Sequence, residues 1–400
     1  MRRIFTNIGS LLSWSEKTQS MEYSKPDRLI VDKERISAID QQAEKPDEII
    51  DCQGALMTPA LIDAHTHPVF AECRQNEFEM RIAGKSYLDI AAAGGGIKNS
   101  VRQLRKISED ELFDRSLPRA RNFLTTGTAT IEAKSGYGLS LNDELKSLRV
   151  IRRLNEALPL QLIPTFLGAH EIPDEYQNRR NEYISLLVDE MIPQVAASGL
   201  AEYCDVFADK GVFTRDEAEL IFRGALENGL KLRVHADEFE NLGVTELAAK
   251  MGAASADHLL VISEDGISAM KNSGTVAVLL PGTTFFLGKQ DYAPARRIWD
   301  AGVTTALASD FNPGSSMTQN LQMIMTLACT QMKLSPLEAW QAVTINAARS
   351  LQREKIIGSL EIGKNADIAL WDVSDYRIVP YWFGKNHLHA LWINGSKVIC

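Results

Sequence analysis

The sequence predicts an α/β protein: a (β/α)8 barrel of the TIM type, joined to a small β-sandwich built from both chain ends. Three observations carry this expectation. Eight short apolar, β-rich runs recur through the middle of the chain, at 61–64, 128–133, 160–166, 203–207, 232–236, 254–259, 275–280 and 304–309. Helical patterns lie between them, at 142–157, 181–197, 216–228, 245–250 and 263–272, and such alternation implies βαβ units and a parallel sheet. Both chain ends have a different texture, strands and turns without long helical patterns. Eight units favour a closed barrel over the alternative, a doubly wound open sheet.

Taken in order, the first residues Met1-Arg2-Arg3-Ile4-Phe5 have the basic start of a secretory signal, but Asn7, Gly9, Ser10 and Ser13 interrupt the apolar run. Strands are expected at 28–31, 36–39 and 48–51, separated by polar pieces containing Pro26 and Pro46. The last fifty residues repeat this texture, with strands at 366–371 and 390–393 followed by the turn Asn394-Gly395. The expected domains are therefore 58–351 for the barrel and 1–57 with 352–400 for the sandwich. Within the barrel, Thr214 is placed to cap the helix at 216–228. Gly84-Lys85-Ser86 resembles the tail of a phosphate loop, but Glu79 stands where the first glycine should be, so the motif fails. Gly94-Gly95-Gly96 follows no strand and reads as a loop near the site mouth or as a structural turn.

Composition narrows the function classes. The chain has 400 residues, 45% hydrophobic and 24% charged, as in an ordinary globular protein. Its charge, 43 − 52 = −9, comes with no basic run, which argues against a nucleic-acid partner. Five scattered cysteines without a Cys-x-x-Cys suit a reducing compartment. No stretch approaches the ~20 apolar residues needed to span a bilayer, so no membrane partner and a cytoplasmic location are expected.

The histidines carry the chemistry. His387 and His389 fall in the terminal region and read as surface or edge residues. The other five gather at strand ends: His65 and His67 end the first run, His170 follows the third, and His235 and His258 lie near the ends of the fifth and sixth. Asp310 follows the eighth. In a barrel those ends converge on one mouth. His65, His67, His235 and Asp310 form a set of three nitrogens and one oxygen suited to one divalent metal, zinc first and iron as the alternative. Water on such an ion has a pKa near ~7, and Asp310 can accept its proton. Asp310 could equally cap a helix opened by the segment from Asn312 to Ser316. His258, left over from the ligand set, is placed to polarise a substrate carbonyl. Glu238 is placed either to pass a proton to the leaving nitrogen or to be a solvated loop acid.

This pattern resembles the amidohydrolase superfamily, whose return strand into a terminal sandwich is matched by the tail from Gly358 to Asp367. Further segments are similar to the imidazolonepropionase family within it. They are Asn76-Glu77-Phe78-Glu79, Ala93-Gly94-Gly95-Gly96-Ile97, Glu132-Ala133-Lys134-Ser135-Gly136-Tyr137-Gly138-Leu139, Phe166-Leu167-Gly168-Ala169-His170, His235-Ala236-Asp237-Glu238, Ser255-Ala256-Asp257-His258-Leu259 and Asp310-Phe311-Asn312-Pro313-Gly314-Ser315-Ser316.

The resemblance implies hydrolysis of 4-imidazolone-5-propanoate to N-formimidoyl-L-glutamate, and a homodimer. It implies that Arg74, Tyr137, His170 and Glu238 contact the substrate, with Arg74 suited to a bidentate grip on the propanoate. Asn312, Gly314 and Ser315 are implied to hold the carboxylate created by ring opening, at a helix start whose amides suit an anion. Ala60 and Cys73 depart from the expected pattern at positions that are not proposed ligands. No lysine lies within 203–207, where two-metal relatives carry a bridging one, so a single metal is expected; Lys210 alone could change that. The competing readings are another cyclic-amide hydrolase or a deaminase with the same ligands, and an inactive barrel kept for binding.

Overall fold

Eight strands run parallel and in chain order in the computed structural model, which describes residues 1–41, 45–85, 89 and 93–399. They are β1 (Leu61–Asp63), β2 (Thr128–Lys134), β3 (Gln161–Ala169), β4 (Tyr203–Ala208), β5 (Lys231–Ala236), β6 (Ser255–His258), β7 (Val276–Leu279) and β8 (Thr305–Leu307). Ser86 and Cys400 lie outside the described residues. Each strand pairs with the next, and the barrel nearly closes between β8 and β1. That seam is made just beyond the strand ends: the amide of Asp310 donates to His65 O at 3.1 Å, and that of His67 to Phe311 O at 2.8 Å. Below it, the buried Asp63 carboxylate accepts from the Ser309 amide at 3.0 Å and the Ser309 hydroxyl at 2.5 Å. The expected barrel is the one observed.

The helices begin where the sequence offers caps. Thr214 and Glu217 form a reciprocal capping box ahead of Arg215–Glu227, and Ser140 and Ser263 cap Leu141–Ala157 and Glu264–Ser273. The helix expected at 181–197 is instead interrupted: Arg180–Leu186 and Ile192–Ser198 flank a π-helical turn, Leu187–Met191. Pro193 lacks an N–H and its ring crowds the preceding turn, which the wider turn accommodates. Between β1 and β2 lie Gln75–Ile82, Ile97–Lys106 and Glu109–Asn122, which the run pattern did not single out.

Both chain ends build the flanking sheets. One sheet has the order Ser396–Ile399, Leu388–Ile393, Ile368–Trp371, Leu56–Pro59, Ser10–Ser15, Ser20–Ser24, with Leu56–Pro59 antiparallel to Ile368–Trp371. The other has the order Arg35–Ile39, Arg28–Asp32, Arg2–Thr6, Glu48–Asp51. Phe5, Leu29 and Val31 from the second meet Met57, Ile368, Leu370 and Trp392 from the first in one core, where Phe5 and Trp392 pack edge to face at 5.1 Å. The signal-like start is thus a strand with Ile4 and Phe5 buried. His387 corrects a second expectation. It is buried, not a surface residue, because its amide donates to Gln322 Oε1 at 3.0 Å and its Nε2 lies 3.1 Å from Trp382 O. No described helix is long and apolar enough to cross a membrane.

Candidate active site

Two acids at the barrel floor decide how the mouth histidines point. His65 sits beyond β1 with Nδ1 2.6 Å from Asp257 Oδ2, and His235, next to last in β5, has Nδ1 3.1 Å from Asp205 Oδ2. Each ring is fixed by one nitrogen, so Nε2 faces the centre as a lone pair. His67, two residues after His65 and on the same side of the chain, brings its Nε2 to 3.3 Å from that of His65. Asp310 Oδ1 lies 3.5 Å from both. His235 Nε2 and His67 Nδ1 are buried with no partner among the described residues. Burial holds His65, His67 and His258 well below the usual histidine range, so the rings are neutral. Facing lone pairs, an orphaned ring nitrogen and a carboxylate are the donor set of a divalent cation. Donor atoms of His65, His67 and Asp310, and of His65, His235 and His258, lie within 4.8 Å of one another in each trio. The geometry therefore offers five donors where the strand pattern picked four.

Backbone conformation aims several of these groups. Asp237, His258, Leu259 and Asp310, at or within three residues of strand ends, have φ of 54°, 79°, 63° and 53°. Non-glycine residues seldom adopt that left-handed region, and such strain gathers at functional sites.

A layer of charge beneath the histidines went unread in the sequence. Lys134 Nζ is buried 2.8 Å from Glu132 Oε1, 2.6 Å from Asp205 Oδ2 and 3.8 Å from Asp257 Oδ2. Arg233 adds contacts of 3.5 Å to Asp257 and 3.6 Å to Glu132. Burial works against the Lys134 ammonium, but Asp205 and Glu132 override it and hold its pKa above the usual lysine value. The signal was available: ionisable residues sat inside runs that are otherwise apolar. Lys210 takes no part in this layer: it is 73% exposed and pairs with Glu240 at 2.7 Å.

The proposed substrate groups line the loops above. His170 stacks on His67, ring centroids 5.3 Å apart, and lies 5.4 Å from Tyr137. Burial pushes His170 down to about 3, and its Nδ1 is 2.9 Å from Gly136 O. Tyr137 is buried on a loop folded around Glu144, whose carboxylate accepts from the amides of Gly136 at 2.9 Å and of Gly138 and Leu139 at 2.8 Å. Asp209 does the same for the Glu238 loop, accepting from the amides of Glu238 at 2.7 Å and of Phe239 and Glu240 at 2.9 Å. Glu238 is no solvated acid: its side chain is 9% exposed and lies 3.5 Å from His258 Nδ1. Burial, then the Asp310 charge, pushes its carboxyl up to about 8. Arg74 precedes Gln75–Ile82 and pairs with Glu77 at 2.6 Å.

The expected helix at Asn312 does not form. Asn312 Oδ1 accepts from the amides of Gly314 and Ser315, both at 2.8 Å, and its own amide donates to Ser316 O at 2.9 Å. The side chain thus folds a local turn that competes with a helix, and the next helix begins only at Leu321–Met332. Asp310 caps nothing here. It accepts from Thr283 Oγ1 at 2.5 Å, and the amides expected to greet an anion are occupied by Asn312. Gly314 has a steric role, since a Cβ there would collide with the Arg74 guanidinium.

Comparison with known proteins shows the family. Residues 56–398 match the model of the amidohydrolase family. The imidazolonepropionase of Geobacillus kaustophilus (strain HTA426) is 48% identical, over 88% of this chain and 82% of its own. That of Bacillus velezensis is 43% identical over 99% and 96%. The chain belongs to the imidazolonepropionase branch of the amidohydrolase family. The wider amidohydrolase fold extends to remote structures. A zinc-bound adenosine deaminase from Xanthomonas campestris superposes with a TM-score of 0.76 at 17% identity, over 99% of this chain and 92% of that one. A 5-methylcytosine deaminase from Klebsiella pneumoniae gives 0.76 at 17%, over 100% and 98%.

Proposed function

We propose that the protein hydrolyses 4-imidazolone-5-propanoate to N-formimidoyl-L-glutamate, as the names of its relatives suggest for them. The observation that carries this reading is the pair of donor trios that share His65, one with His67 and Asp310 and one with His235 and His258; from these we take His65, His67, His235 and Asp310 as the ligands. Those four residues would hold one divalent ion, zinc or iron. An ion there supplies a Lewis acid that makes water nucleophilic at neutral pH. Asp310 takes the proton that the attacking water loses. His258 stands by the ring carbonyl and stabilises the charge that grows on its oxygen. Oxygen adds to that carbon, the bond from it to the ring nitrogen breaks, and Glu238, whose carboxyl is pushed up by burial, returns a proton to the nitrogen. Tyr137 and His170 flank the ring, and Arg74 holds the propanoate. Asn312, Gly314 and Ser315 would hold the new carboxylate once it displaces the bonds that now close their turn, Asn312 Oδ1 to the Gly314 and Ser315 amides and Asn312 Nδ2 to Ser315 Oγ.

In this reading residues 58–351 form the catalytic unit, residues 1–57 and 352–400 the sandwich, and two chains pair as a homodimer in the cytoplasm. Assay of the metal-loaded protein on imidazolone propanoate, dihydroorotate and guanine tests it. Turnover of the first supports the reading; turnover confined to the other two overturns it.

A further inference from the structure

Arg81 lies in the last turn of Gln75–Ile82, seven residues after Arg74, so both side chains leave one face of the helix, two turns apart. Both reach the same turn across the mouth. Arg81 Nη2 donates to Gly314 O at 3.1 Å, while the Arg74 guanidinium fills the space beside Gly314 Cα. Their charge is unevenly matched. Glu77 accepts from Arg74 Nη2 at 2.6 Å and, with its other oxygen, from the Gly96 amide at 3.0 Å. No acid among the described residues lies within ion-pair distance of Arg81, whose pKa is lowered by burial and then by the Arg74 charge, with Glu77 opposing from further off. Two donors in this cluster, Arg74 Nε and Arg81 Nη1, are buried with no partner among the described residues. Two arginines and one glutamate leave one net positive charge and two unfilled donor nitrogens, a match in charge and number for the two oxygens of one carboxylate.

We propose that Arg81 is a specificity residue, holding the anionic end of the substrate jointly with Arg74. Glu77 has already claimed much of the Arg74 charge; Arg81 brings the unclaimed one, and its tie to Gly314 O fixes the angle at which it does so. This rests on the reading of the substrate as a ring bearing a carboxylate.

The test uses the metal-loaded full chain and two ligands that are not turned over, imidazole-4-propanoate and its neutral amide. Binding is measured by calorimetry for wild type, Arg81→Gln and Arg81→Lys, beside steady-state kinetics on imidazolone propanoate. Arg81→Gln is expected to weaken the acid by about 10- to 100-fold and leave the amide unchanged. KM should rise with kcat nearly constant, and Arg81→Lys should recover part of the loss. Unaltered acid binding in Arg81→Gln overturns the proposal. So does an equal loss for acid and amide, which would mark Arg81 as only a tether for the Gly314 turn. A wild type that neither binds the acid nor opens the ring overturns both this proposal and the substrate reading. A wild type that does both, matched by Arg81→Gln, overturns the role of Arg81 alone.

Discussion

Asp257 and His65 share a 2.6 Å hydrogen bond with neither side chain exposed. Asp257 thereby selects the ring nitrogen that His65 presents to the mouth. Asp257→Asn keeps the volume but offers an amide that can face the ring with its NH2 group. Affinity for zinc should fall by about 10- to 100-fold, read by competition with a chromophoric chelator. An unchanged zinc affinity would remove the orienting role.

The division between ligand and non-ligand histidines is tested by His65→Ala and His258→Ala. The first should lose metal, while the second should retain it and lose about 100-fold or more in kcat. Metal analysis of both purified variants, beside turnover, gives the answer. Loss of metal from His258→Ala would make it a ligand through its trio with His65 and His235.

Asp209 touches neither ion nor substrate in this scheme, yet it gathers three consecutive amides of the loop bearing Glu238. Asp209→Ala should leave those part-buried amides to find water instead, a cost of no more than about 1 kcal/mol each. Metal content should stay normal while kcat falls and the pH profile of kcat shifts. A drop in stability with an unaltered pH profile would reduce Asp209 to a purely structural role.

Away from the mouth, burial pushes the Asp367 carboxyl up to about 6, against ~3.9 in an unfolded chain. The folded state therefore binds this proton more tightly. Its contribution to stability is fully present below pH ~4 and is lost as pH rises to about 6, leaving a cost of about 3 kcal/mol above that. Asp367→Asn keeps an oxygen for the Asn394 amide that Asp367 accepts at 2.8 Å and removes the charge. Its urea midpoint should gain on wild type between pH 4 and 7. Parallel midpoints across that range would show that the carboxyl does not titrate as described.

Much of this was legible because the strands announce themselves twice, by apolar runs and by the residue that ends each. His235 and His258, near the ends of two neighbouring runs, mark the mouth in the sequence alone. The charged floor was legible only as ionisable residues inside apolar runs, and its pairing was not. Lys134, Asp205, Arg233 and Asp257 satisfy one another across four strands, and nothing local in the sequence marks a partner so distant. The Asn312 turn failed differently. Asparagine before Pro-Gly-Ser-Ser suits a helix cap and a free-standing turn alike, and contact with the Arg74 side of the mouth favours the turn. His387 was misplaced because its burial depends on Gln322, far away in the chain.

The seam between β8 and β1 runs through the backbones of His65, His67 and Asp310, so the residues that would grip the ion also rivet the cylinder shut. An occupied centre then acts as a clasp, and stripping it with a chelator should let the rim breathe. Amide exchange at His67 and Asp310 should quicken first, well before the sheets at the chain ends loosen.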